Sequence, residues 1–188
     1  MNTKSSWTVA QGKAWFVKLI FSPVSGMFGL VLVVLGLLVS GANAATTIST
    51  ADQDFIKSAA QGGMIEVQLG ELAAQKGVRD DVKEFGQMMV KDHSAINSDL
   101  KALAAQKGVA LPDSLDAKHQ GKIDKFSALT GSAFDDAYIT AMIKGHKKDA
   151  KAFNAESAAT QDPDIKGFVD KSIPIVESHL QHVTAMKK

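Results

Sequence analysis

From position 50 onward, apolar residues return every three or four positions and nowhere alternate as they would in a strand. Four long stretches carry such a stripe. Thr50 and Gln53 have capping-box spacing and open a helix predicted over about 51–76, which Gly77 stops. Its stripe is Phe55, Ala59, Gly62, Glu66 and Ala73. The next helix, about 79–107, aligns Val82, Phe85, Met89, His93, Ile96 and Leu100 and ends at Gly108. A third runs over about 133–160, opened by Ser132 and Asp135 at capping-box spacing. Tyr138, Met142, Asp149 and Phe153 lie on one side of it, with His146 on the flank. The fourth begins with Asp162 as N-cap and Pro163 in the first turn, and runs to about 186. It aligns Ile165, Val169, Val176, His179 and Val183, with His182 at the edge, and Pro174 inside it predicts a kink.

The link between the second and third long helices, 110–131, is the exception in length. Pro112 and Asp113 start a short helix there, about 114–129, which spans roughly 24 Å and can run back along the other helices. Two short turns, one long link and no strand predict an all-α, ferritin-like four-helix bundle with a short extra helix in the crossover. An up-down bundle with a fifth helix is the alternative. The seven residues Leu72–Val78 recur unchanged at Leu103–Val109, which reads either as an old duplication or as one helix ending used twice. Gly62 and Gly63 in the first helix are read as permitting close packing.

The first 44 residues break the pattern. They hold no acidic residue, three lysines (Lys4, Lys13, Lys18), the apolar run 27–39, and a small-residue ending at Ala42-Asn43-Ala44. This describes a secretory signal peptide cleaved after Ala44, or an uncleaved membrane anchor, followed by a tether over 45–50 and a bundle domain over 51–188. Either places the bundle outside the cytoplasm, in a periplasm or comparable compartment, with membrane contact only through the N-terminal segment. Beyond the leader, 20 acidic residues outnumber the remaining basic ones and leave a charge of about −2, which argues against a nucleic-acid partner. The chain has no cysteine, which removes disulfides, thiolate metal sites and thiol catalysis.

Each long helix thus carries one ligand-capable side chain on or beside its apolar face: Glu66, His93, His146 and His179. Counted from the turns, the four lie at similar heights. A buried imidazole or carboxylate without a partner costs several kcal/mol, so convergence at mid-height is expected. A set of three histidines and one glutamate suits zinc, copper or iron. Met89 and Met142 each precede a histidine by four positions and are additional candidates, as is Asp149; participation of both methionines would lean towards copper. Asp92 and Asp149 are candidate orienting partners of histidines. His119 shows no partner and reads as surface. The two Glu-x-x-His motifs of di-iron carboxylate bundles are absent, as are nucleophile triads and phosphate loops.

The runs Glu66–Gly70, Met89–His93 and Phe134–Tyr138, with Met142, His146, Ile173-Pro174 and His179, resemble the domain-of-unknown-function family 4142 of exported bacterial bundles. That resemblance implies a ferritin-like fold and export, and names no reaction. The third long helix is also similar to exported copper-binding bundles of family 305, which show a His-His pair where this chain has Gly145-His146. The reading is an exported bundle that binds a transition metal, with a role in metal handling or envelope stress, and no assigned catalytic residue. Two others stand beside it: a structural or partner-binding bundle with a buried Glu/His network and no metal, and a mononuclear-metal redox enzyme using Tyr138.

Overall fold

The computed structural model describes residues 48–187. The expected leader over 1–44 and the first half of the 45–50 tether lie outside the described residues. Five helices follow in order: α1 (Thr50–Lys76), α2 (Asp80–Lys107), α3 (Ala117–Ala128), α4 (Gly131–Ala159) and α5 (Pro163–Met186). There is no strand among the described residues. Short turns make α1–α2 and α4–α5 antiparallel pairs. α2 against α5 and α1 against α4 close the bundle, and α3 lies on α1 and touches α4. No helix among the described residues is long and apolar enough to cross a membrane.

Local chemistry sets the helix ends, with corrections to two expected caps. The capping box of α1 is Ser49 with Asp52, one position before the expected pair. α4 begins at Gly131 behind Thr130, which makes no side-chain cap. Asp135 does not cap its own helix. It is buried, and its carboxylate accepts hydrogen bonds from the backbone N–H groups of Val78 and Arg79, at 3.1 and 2.9 Å, in the α1–α2 turn. The expected cap of α5 is present, with Asp162 accepting from Asp164 and Ile165. Pro174 lies inside α5, which continues through it without a break.

The buried apolar residues fall into two clusters. One gathers Leu69, Phe85, Met89, Phe134, Tyr138, Met142 and Val183. The other gathers Ile56, Ile96, Leu100, Phe153, Ile165 and Val169. The stripes of α2 and α5 are buried as expected. On α1 the buried line is Ile56, Ala60, Gly63, Glu66, Leu69 and Ala73, so the first half of the expected stripe is displaced by one position. Of the two glycines expected to permit close packing, Gly63 does so, since a Cβ there would collide with the Asn97 side chain of α2. A Cβ on Gly70 would stand 2.8 Å from the carbonyl oxygen of Gly86, and one on Gly86 would stand 2.7 Å from that of Gly70. Gly62 faces open space. The Gly70–Gly86 contact lies one turn from Glu66 and two from His93, and holds α1 close to α2 beside the polar residues.

Candidate metal centre

Between the two apolar clusters, the sequence of every long helix carries its polar interruption: Glu66 on α1, His93 on α2, His146 on α4 and His179 on α5. All four are buried. The three imidazoles pack together, edge-on for His93–His146 and His146–His179 with ring centroids 5.7 and 5.5 Å apart, and tilted for His93–His179 at 5.2 Å. Phe85 packs against two of the rings, at 6.4 Å from His146 and 6.1 Å from His179.

Each ring has one nitrogen engaged and one free. His93 Nδ1 donates to Glu66 Oε2 at 3.0 Å. His146 Nδ1 donates to the Met142 carbonyl oxygen at 3.0 Å, and His179 Nε2 donates to Asp92 Oδ2 at 3.0 Å. The opposite nitrogens, His93 Nε2, His146 Nε2 and His179 Nδ1, are buried without a hydrogen-bond partner. One ligand nitrogen from each of the three histidines lies within 4.8 Å of the others. A hydrogen bond that fixes one ring nitrogen orients the other and raises its basicity, which is how ligating imidazoles are usually held. Three orphaned imidazole nitrogens in one dry space are expensive unless something joins them.

The expected residues are therefore brought together, but in two roles. The free donor set is the three histidines. Glu66 is the orienting partner of His93 rather than a fourth free donor, although its second oxygen stands 3.8 Å from His146 Nε2. Asp92 orients His179. Asp149 is half-buried and hydrogen-bonds Glu66. Met89 and Met142 are buried in the apolar cluster next to the triad. His119 is not partnerless: its ring bonds Asp116 at 2.9 Å, away from the site. Tyr138 is fully buried, stacks on Phe134, and its hydroxyl has no partner.

Charge in this layer is settled by competition between burial and neighbours. Burial works against a charge on Glu66, but the charge and hydrogen bond of His93 outweigh it and hold the carboxyl well below its ordinary range. Burial likewise opposes a charge on His93, yet Glu66 prevails and raises its pKa above the usual histidine value. Burial lowers both His146 and His179, against the opposing pull of Glu66 and Asp92 respectively, so these two rings favour the neutral form that donates to a metal. Burial and then the Glu66 charge push Asp149 up to about 7.

The family described as "Domain of unknown function (DUF4142)" matches residues 38–186, and the chain belongs to that family. None of the curated proteins matches it. Among solved structures, a DUF305 fragment from Deinococcus radiodurans is similar at a TM-score of 0.65 and 10% identity, covering 74% of this chain and 96% of its own. CopM in its Cu(I)-bound form is similar at a TM-score of 0.61 and 18% identity, covering 72% and 94%. CopM in an Ag-bound form gives 0.59 and 18%, covering 72% and 93%. At these identities the likeness concerns the fold, and it is the all-α bundle expected from the helical periodicity.

Proposed function

We propose that this member of the DUF4142 family binds one transition-metal ion between α2, α4 and α5, through His93 Nε2, His146 Nε2 and His179 Nδ1. The observation that carries the reading is that each of these nitrogens is buried and unpartnered while its ring is fixed from the other side. Glu66, the Met142 carbonyl and Asp92 hold the rings, and Asp149 holds Glu66. A neutral three-imidazole set suits zinc and copper better than hard, carboxylate-seeking cations. Met89 and Met142 lie one turn before His93 and His146 and are buried in the adjoining apolar cluster, and a thioether that joined the donors would favour copper(I). The bundle's likeness to a protein solved with copper and silver supports the same choice. A bound ion would withdraw the three nitrogens from their unpaired state and tie three helices together.

With the basic, apolar, small-residue leader over 1–44, the reading is an exported protein that sequesters or passes on metal in the envelope, without catalysis. The second reading, a buried polar network without metal, draws on the Glu66–His93 ion pair, which satisfies two of the buried groups without an ion. The test is metal content of the purified chain followed by titration of the stripped chain with copper(I), zinc and iron(II), read by calorimetry. Metal binding predicts one ion per chain and marked thermal stabilisation. A network alone predicts no stoichiometric ion and no shift.

A further inference from the structure

The free nitrogens of the triad are sealed from solvent, so an ion needs a path to them. His146 and His179 are 0% and 1% exposed. On the α2–α5 side, Asp92 reaches the surface, but it is bonded to His179 Nε2 while the free nitrogen, Nδ1, lies on the other edge of the ring. The α1–α4 side differs. A hollow of about 60 Å³ there is bordered by Ser58, Gly62, Glu66, His93, Lys148 and Asp149. Ser58 and Lys148 are exposed and mark its outer end, whereas Glu66 and His93 form its floor.

Gly62 keeps this hollow open. A Cβ at Gly62 would meet no atom within 4 Å, while its neighbour Gly63 is already filled by the Asn97 side chain. A glycine in mid-helix is unfavourable by roughly 1 kcal/mol relative to alanine, so its use at a position with room for a side chain calls for another reason. At the floor, Glu66 faces both ways. One oxygen holds His93 Nδ1, and the other stands 3.8 Å from the free Nε2 of His146. Asp149 reaches Glu66 from the α4 side of the same hollow.

We propose that a metal cation reaches the triad through the α1–α4 cleft, past Gly62, with Asp149 and Glu66 as the carboxylate pair that receives it and delivers it to His146 Nε2. This rests on the metal-site reading above. A plug in a passage raises the barrier for both directions equally, so it slows uptake and release together and leaves the equilibrium unchanged. That separates it from a change at the site.

The experiment takes the full chain, stripped of metal, and follows stopped-flow uptake of zinc and of copper(I) delivered from a weak chelator. Release is followed with excess chelator. The variants are Gly62→Ala, Gly62→Leu and Gly62→Phe, with Ser58→Phe as a second obstruction one turn outward. Uptake is expected to slow progressively with side-chain size, by tenfold or more at Leu. Release is expected to slow by the same factor, and Kd to stay within twofold of wild type. Uptake rates within twofold of wild type across both positions, with binding intact, would overturn the passage alone. A change in Kd carried by release only would also overturn it. Absence of binding in the wild type would remove the site itself, and the passage with it.

Discussion

His93 is the one triad member whose pKa its surroundings raise, and that makes binding depend on pH. Its pKa is raised by Glu66 against the pull of burial, and Nε2 must lose its proton before it can donate to a metal. Below the folded-state pKa of His93, each pH unit is expected to weaken binding about tenfold, as one proton is displaced per ion. Above it the dependence levels off. In Glu66→Gln the raising charge is gone, so the plateau should begin at lower pH. Calorimetric affinities from pH 5.5 to 8 check this, and a plateau that does not move in Glu66→Gln would refute the role given to that carboxylate. A second residue-scale case lies at the other end of the bundle. Burial and then the neighbouring Asp52 push Glu156 from 4.5 up to about 7. A group whose folded pKa is raised stabilises the fold below its unfolded pKa and loses that contribution as pH rises to the folded one. Wild-type stability should therefore decline between about pH 4.5 and 7. Glu156→Gln, which keeps a donor towards Asp52, should flatten that decline. Melting temperatures across the range give the answer, and parallel curves for the two proteins would contradict it.

At the scale of elements, the two copies of the Leu72–Val78 sequence show what periodicity leaves out. Gly108 ends α2 in the left-handed conformation, φ 68°, and Val109 turns inward to a buried position. Gly77 ends α1 at φ −53°, and Val78 is 60% exposed. The difference comes from Asp135, which draws the Val78 and Arg79 N–H groups towards α4. It sits 57 positions away, beyond any local spacing rule. The helices themselves were legible because each stripe is strong. On α1 the stripe slipped by one position in its first half because Phe55, half-buried against Phe153 at 5.1 Å, competes with Ile56 for the inner face. The glycines give a paired prediction. Gly86→Ala should destabilise by about 1–3 kcal/mol, because its Cβ would press on the Gly70 backbone. Gly62→Ala, in open space on the neighbouring helix, should stabilise by about 0.5–1 kcal/mol. Chemical denaturation of both variants tests the pair. Equal signs would show that the α1–α2 contact is placed wrongly.

At the scale of the molecule, two apolar clusters hold four helices around one polar layer, and the layer is where the sequence was both most and least informative. The three histidines were legible because each interrupts an otherwise apolar face at a matching height. Their division of labour was not. Spacing cannot distinguish a ligand from the carboxylate that orients one, so Glu66 read as a donor of the same rank. Likewise Asp92 lies off the α2 stripe, and its bond to His179 joins positions 87 apart. The most direct measurement is the metal stoichiometry and affinity of the stripped chain beside His93→Ala, His146→Ala, His179→Ala and Glu66→Gln. The three-histidine centre predicts one copper(I) or zinc ion per wild-type chain. It predicts binding lost, or weakened by a hundredfold or more, in each histidine variant, and weakened by about 10–100-fold in Glu66→Gln, as expected of an orienting partner. Binding that survives intact in any one of the histidine variants, or a wild-type chain that takes up no ion, would contradict it.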